Sequence, residues 1–309
     1  MSTEYAPIAL FTYSRADHTR AAVESLLKNK EAAESDLYIF SDGPKTEEKH
    51  QAVEENRKYI HAITGFKSIH IIEREKNWGL ANSLIAGITD VVNQYGRVIV
   101  VEDDLILSPY FLQFMNEALE KYKDDGRVAS ISAFLNPIDC EAPETFFLRY
   151  FACWGWATWE RGWKLLNLDT RDLLRQMRWK KNDFNIGGTG AFYEMLYCQK
   201  VGLVDSWAVR FYASQFLAGK LQLFPGHSLA IQSGMDGSGT HSGDGASPFH
   251  NMQLASSPIY LGDIPVEESR EMYEAYARFY KGNRNFCSLR RYYNRCKSFI
   301  RRLLGIDYK

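Results

Sequence analysis

The tightest constraint on this chain is the stretch Arg97-Val98-Ile99-Val100-Val101-Glu102-Asp103-Asp104-Leu105, in which four branched apolar residues run directly into three carboxylates. A short run with no polar face reads as a strand buried on both sides, the habit of a central parallel strand. Because side chains alternate along a strand, Glu102 and Asp104 are expected on one face and Asp103 on the other. Three acids at the end of a buried strand are costly unless a cation meets them. Hard divalent ions such as Mg2+ or Mn2+ take oxygen ligands, often one or two carboxylates together with substrate phosphates. The plainer alternative is an acidic, solvated turn between strand and helix.

The flanking segments decide how that strand is used. Ile8 to Tyr13 predicts a first strand, and Asp17 can cap a helix running to Asn29. Leu37 to Ser41 predicts a second strand that ends in the turn signal Asp42-Gly43-Pro44. A charged amphipathic stretch from Thr46 to Ala62 predicts a helix, and Ser68 to Glu73 a third strand. After Asn77-Trp78-Gly79 comes a helix with Leu80, Leu84, Ile88, Val91 and Tyr95 inward. Ser108-Pro109 opens another helix, through Tyr122, and Val128 to Ala133 forms the next strand. Strand and helix alternate without a break, so the expected fold is α/β, a mostly parallel mixed sheet with helices on both faces. In such sheets ligands bind beyond the carboxyl ends of the strands. Tyr13-Ser14-Arg15, Asp42-Gly43 and Glu102-Asp103-Asp104 all fall there.

Several function classes are excluded or weakened. No GxGxxG follows the first strand and no GxxxxGK[ST] occurs, which argues against dinucleotide dehydrogenases and P-loop enzymes. A net charge of −1 argues against a nucleic-acid binder. The five cysteines (Cys140, Cys153, Cys198, Cys287, Cys296) show no CxxC spacing and suit a reducing compartment. With neither a signal-peptide pattern nor a bilayer-spanning apolar run, the expected location is cytoplasmic, peripheral to the inner membrane face if the basic tail described below binds lipid.

Thr-Tyr-Ser-Arg at the end of the first strand, then Ser-Asp-Gly, Asn-x-Gly-Leu-Ala-x-Ser and Glu-Asp-Asp, in that order, resembles a GT-A-fold glycosyltransferase. The pattern is similar to bacterial family 2 enzymes. It also resembles the eukaryotic N-acetylglucosaminyltransferases that begin complex N-glycans and carry Glu-Asp-Asp. The resemblance implies an inverting transferase that uses a nucleotide-diphospho-sugar, a UDP-sugar favoured, and a divalent metal, Mn2+ or Mg2+. It implies that Tyr13 and Arg15 line the base and ribose pocket and that Asp42 bonds base or ribose. Asn77 belongs to the same donor-binding set, Asp104 ligates the metal, and Glu102 and Asp103 touch sugar or ribose. Each residue also has a bland role: Asp42 as a turn residue, Arg15 as a surface charge, Asn77 as a helix cap.

From Arg149 onward the composition changes. Trp154, Trp156, Trp159 and Trp163 fall within ten residues; such rings stack on sugars or build cores. The related transferases place a Gly-Trp element here beside the donor sugar, which makes Gly155 and Trp156 the preferred pair. An inverting transfer needs a carboxylate to take the proton of the acceptor hydroxyl. Asp205, before Ser206-Trp207 and a helical run to Ala218, is the first choice and Glu160 the second; a helix N-terminus would keep Asp205 charged. Arg210 can neutralise diphosphate. The stretch 234–245 holds five glycines, either a linker or a loop closing over the diphosphate, and its His241 is a candidate metal or phosphate contact, as in many GT-A enzymes.

Residues 287–304 contain six Lys/Arg, no acid, and apolar residues on one helical face. They read as an anchor for an anionic membrane surface or as a helix packed on the sheet. The expected organisation is one large domain: a donor half, 1–134; an acceptor half, 135–263; and a basic helical tail, 264–309. The expected partner is a carbohydrate or lipid-linked glycan acceptor. Rival readings are a non-catalytic membrane- or glycan-binding protein on a degenerate transferase scaffold and a metal-dependent phosphohydrolase.

Overall fold

A computed structural model describes residues 4–233 and 248–283. The whole glycine-rich stretch 234–245 with its His241, and the basic stretch 287–304, lie outside the described residues. The expected alternation is present: β1 (Ile8–Thr12), α1 (Ala16–Leu26), β2 (Asp36–Ser41), α2 (His50–His61), β3 (Ser68–Glu73), α3 (Leu80–Tyr95) and β4 (Arg97–Glu102). A three-residue strand β5 (Leu105–Leu107), α4 (Phe111–Lys121), β6 (Val128–Ser132), β7 (Thr145–Leu148) and β8 (Trp156–Trp159) follow. Helices α5 (Glu160–Trp163), α6 (Thr170–Met177), α7 (Lys181–Phe184), α8 (Phe192–Lys200) and α9 (Trp207–Leu217) then form a helical layer. β9 (Leu221–Pro225), β10 (Ala230–Gln232) and α10 (Arg270–Gly282) complete the described structure.

The main sheet has the order β3-β2-β1-β4-β8-β6-β9-β7, and β5 pairs with β10 in a small separate sheet. β1, β2, β3 and β4 are parallel, β8 runs antiparallel to both β4 and β6, and β7 runs antiparallel to β9. β6, β9 and the first four strands therefore share one direction, which is the mostly parallel mixed sheet expected. Alternation sorts the central strands between two cores. Ile8, Leu10, Ile99 and Val101 face α1 and α4, while Ala9, Phe11, Val98 and Val100 face α3 and α9. β4 is buried on both faces because each set has a helical layer to meet.

Three boundaries differ from expectation. Asp17 lies in the first turn of α1 rather than at its cap, where a carboxylate still favours the helix dipole. Ser108 precedes α4 by a turn; its hydroxyl donates to the Ala255 carbonyl at 2.7 Å, so it ties a later loop down. The expected tail boundary at 264 does not end the packed body, since α10 buries Met272, Ala275, Tyr276, Phe279 and Tyr280 against Phe146 and Phe224. Both main cores also draw residues from each expected half, so the two halves fold as one.

Trp156 requires a correction. It is 0% exposed and lies among Phe151, Trp163, Trp207 and Phe211, with the Trp207 ring stacked at 5.4 Å. It is core, and its ring does not reach a donor sugar. The reason is alternation along β8, which turns Trp156 into the α3–α9 core. Trp156→Ala is expected to cost about 3–5 kcal/mol of stability, read by urea denaturation. A variant of parental stability with weakened donor binding would restore the sugar-contact role.

Candidate functional site

The carboxyl edge of the sheet gathers the loops after β1, β2, β3 and β4. β4 ends at Glu102, but Asp103 extends its pairing by one residue, donating its N–H to the Phe11 carbonyl at 3.0 Å. The chain then turns, so the expected opposition of Asp103 and Asp104 fails. Both accept from one amino group of Arg15, at 2.6 and 2.9 Å. The second Asp103 oxygen accepts from the Tyr13 N–H at 3.3 Å. Asp103 is buried with both oxygens engaged, so it holds the β1 loop. Arg15 is paired with the two aspartates. Its other terminal nitrogen is buried without a hydrogen-bond partner among the described residues.

Asp104 has further neighbours that the sequence did not reveal. Gln232 donates to its carboxylate at 3.5 Å, and Ser233 donates its N–H and hydroxyl to its carbonyl at 2.8 and 3.0 Å. This follows from the register of the small sheet, which sets Gln232 opposite Leu105. His18 joins through its Nδ1, 3.2 Å from the Ser233 hydroxyl. In sequence, Ser233 immediately precedes the glycine-rich stretch 234–245. A three-residue strand is too short for periodicity to announce it.

Around Asp42 the structure assigns a tether. The side chain is 5% exposed; one oxygen accepts from the N–H groups of Gly43 (3.0 Å) and Trp78 (2.8 Å), the other from Gly79 (2.9 Å). Asn77 donates back to the Gly43 carbonyl at 2.8 Å. Asp42 and Asn77 therefore bind the β2 and β3 loops to each other. Asn77 does not cap α3, whose cap position is Gly79. The loops touch so closely that a Cβ on Gly43 would lie 2.6 Å from the Lys76 carbonyl carbon. Tyr13 remains at the mouth between β1 and β2, its hydroxyl accepting from the Lys45 N–H at 2.9 Å. Arg74 stacks on the half-exposed Trp78 ring at 3.6 Å, and one of its buried terminal nitrogens has no hydrogen-bond partner among the described residues. An Arg-x3-Trp spacing after a strand gave no signal of this pair.

On the far side of β4, the register with β8 (Val100 opposite Trp156) brings Cys153-Trp154-Gly155 alongside the triplet. Burial pushes the Cys153 thiol up, and the Glu102 and Asp104 charges push it further. Trp154, not Trp156, is the tryptophan at this edge, packed edge-on to Phe134 and Phe249. Glu160 lies at the wrong end: it follows Trp159, which pairs with Arg97 at the amino end of β4, and its N–H bonds the Gly96 carbonyl at 2.8 Å. An antiparallel strand one residue beyond the tryptophans carries Glu160 to the opposite edge, so it is not a base for this site. α9 returns to β9, which is parallel to β6, so its N-terminus points to the carboxyl edge. Ser206 caps α9, its hydroxyl accepting from the Val209 N–H. The preceding Asp205 has a 60% exposed side chain and pairs with Arg210 at 3.2 Å. Arg210 is thus bound to Asp205, and burial pulls its pKa down.

Electrostatics follow from this packing. Burial pushes the Glu102 carboxyl up to about 8, with the Asp104 and Asp103 charges adding and Arg15 opposing. Asp103 is raised by burial and by Asp104, against Arg15. Three carboxylates facing one guanidinium leave negative charge over, and that surplus fits a hard cation. Among the described residues no cluster of three His, Cys, Asp or Glu stands ready as a complete ligand set. A cation here would take Asp104 and complete its shell with phosphate oxygens or water.

The profile of glycosyl transferase family 2 matches residues 8–199, more than half of the chain. Among solved structures, the chain is similar to a mannosyltransferase, PcManGT from Pyrobaculum calidifontis, described in complex with GDP-Man and Mn2+. That match has 13% identity and a TM-score of 0.41, and covers 69% of this chain and 70% of the other. It is also similar to TarS of S. aureus, at 14% identity and a TM-score of 0.31, where it covers 45% of this chain but only 23% of that one. No curated protein sequence matches.

The raised Glu102 carboxyl has a consequence for stability. An unfolded glutamate releases its proton near about 4.3, whereas the folded one holds it to about 8. Between those values the folded state binds more protons, so its stability falls as pH rises. Glu102→Gln keeps the site neutral. In chelator-treated protein its advantage over the parent should therefore grow from pH 5 to pH 8, by about 1–3 kcal/mol after solvent screening, measured by chemical denaturation. A gap that does not change with pH would show that Glu102 is ionised throughout.

Proposed function

The chain belongs to glycosyl transferase family 2, and on that premise we propose that it is an inverting, cation-assisted enzyme using a nucleotide-diphospho-sugar donor, a UDP-sugar favoured. The chain is a glycosyltransferase with a GT-A-like fold. Donor, cation, stereochemistry and acceptor are the proposal. The acceptor is a carbohydrate or a lipid-linked glycan, and residues 287–304 would favour an anionic membrane face for the latter. The observation that carries this reading is the meeting of Asp103 and Asp104 on Arg15, directly after Glu102, at the carboxyl ends of β1 and β4.

Asp104 would hold Mn2+ or Mg2+, with His241 as a further candidate ligand. The ion would supply Lewis-acid stabilisation of the departing diphosphate. The buried, unpartnered nitrogen of Arg15 would donate to a phosphate oxygen in the same place. Tyr13, Arg74 and Trp78 surround the space between β1 and β3, where base and ribose would lie. Asp42 and Asn77 serve by holding those loops together. Asp205 would accept the acceptor hydroxyl proton as the new bond forms between that oxygen and the anomeric carbon. The bond from the anomeric carbon to the diphosphate breaks, and nucleoside diphosphate leaves. Arg210 pairs with Asp205 and would orient it.

Thermal-shift assays with UDP- and GDP-sugars should give larger stabilisation with Mn2+ than without it, because cation and diphosphate bind as a unit. Asp104→Ala should remove that coupling and lower kcat/KM by about 100-fold or more; unchanged cation-dependent turnover would exclude Asp104 as a ligand. Asp205→Asn is expected to reduce transfer by roughly 100- to 10,000-fold while donor affinity is kept. Parental transfer by that variant would send the search for the base elsewhere.

A further inference from the structure

The helical layer carries an outer surface that the transfer chemistry does not use. α6 buries Leu173, Leu174 and Met177, and Arg171, Arg175 and Arg178 follow at i, i+4 and i+7 on its exposed side. The stripe runs off the helix onto Trp179, which is 85% exposed. Exposed Lys180 and Lys181 come next, and Leu168 stands 48% exposed at the other end of the helix. The Arg178 guanidinium lies 4.5 Å from the Trp179 ring centroid.

The charge of this surface is only partly answered. Residues 164–182 contain six Lys/Arg against Asp169 and Asp172. Asp169 is occupied capping α6, and Asp172 pairs with Arg175 at 2.6 Å. Lys181 pairs with Glu194 and Lys164 with Glu160, each at 2.6 Å. Among the described residues no carboxylate pairs with Arg171, Arg178 or Lys180. A tryptophan held out in water amid unanswered cations is poor chemistry for a free surface. It is good chemistry for a bilayer interface, where an indole sits at headgroup depth and Lys/Arg meet anionic lipid.

We propose that Trp179, with Arg171, Arg175, Arg178 and Lys180 around it, docks the enzyme on an anionic phospholipid surface. A lipid source is favoured over a phosphate-bearing glycan by the ring's exposure and by the aliphatic Leu168, which offers a sugar no hydrogen bond. The surface belongs to the described, folded body and is separate from residues 287–304. It extends the proposed use of a lipid-linked acceptor, yet docking is read without turnover, so the two can fail independently. Each cation near an anionic surface strengthens partition by about fivefold.

Co-sedimentation of the full chain with vesicles of phosphatidylcholine, with and without phosphatidylglycerol, tests this. The parent should partition to the anionic vesicles only and be released by high salt. Arg178→Gln with Lys180→Gln should weaken partition by about tenfold or more, and Trp179→Ser by several-fold, with thermal stability and turnover of a water-soluble acceptor unchanged. Unaltered partition in both variants would overturn the proposal and leave any binding to other parts of the chain. Equal binding to neutral vesicles would overturn it as well. Loss of turnover on a soluble acceptor with partition intact would reassign the surface to glycan binding.

Discussion

The ion pairs between Arg15 and the two aspartates are the interaction on which the site rests. Val98 to Val101 are buried on both faces of the sheet, so the acids that follow emerge where water is scarce. One guanidinium partly neutralises them and also fastens the β1 loop to the end of β4. It does not neutralise them fully, as the protonated tendency of Glu102 shows. A buried excess of negative charge is unfavourable on its own and becomes favourable only when a cation arrives.

The second organising contact is Asp42. Three N–H groups from two loops converge on one buried carboxylate, a geometry that makes the join between the loops rigid. Asn77 closes the same join from the other side. Tyr13, Arg74 and the Trp78 ring lie outside that join, and they are the residues proposed to meet a nucleotide. Residues at a binding site therefore divide into those that face the ligand and those that hold the facing residues in place.

Much of the first half was legible in sequence because its signals are local. Strand and helix alternate in runs long enough for periodicity to speak, and the ends of parallel strands bring Tyr13, Asp42 and Glu102 to one edge by topology alone. Errors arose where pairing was non-local. Trp156 opens β8 and Glu160 follows its end, and only the antiparallel partnership of β8 with β4 tells which tryptophan lies at the site and which end of the sheet Glu160 reaches. Gln232 and Ser233 join Asp104 through a three-residue strand pairing across more than a hundred residues. The aspartates departed from strict alternation because the strand stops one residue before them.

The sequence alone determined the α/β class, the two-faced burial of the strand before Glu102 and the edge at which ligands bind, since each follows from patterns within a few residues. The tertiary structure decided which carboxylates are free and which are structural. Asp103 and Asp42 have both oxygens occupied, Asp205 stands exposed beside Arg210, and Glu160 lies at the far edge. The physical reason is that a carboxylate's role depends on the donors around it, and those donors arrive from strands and loops distant in the chain.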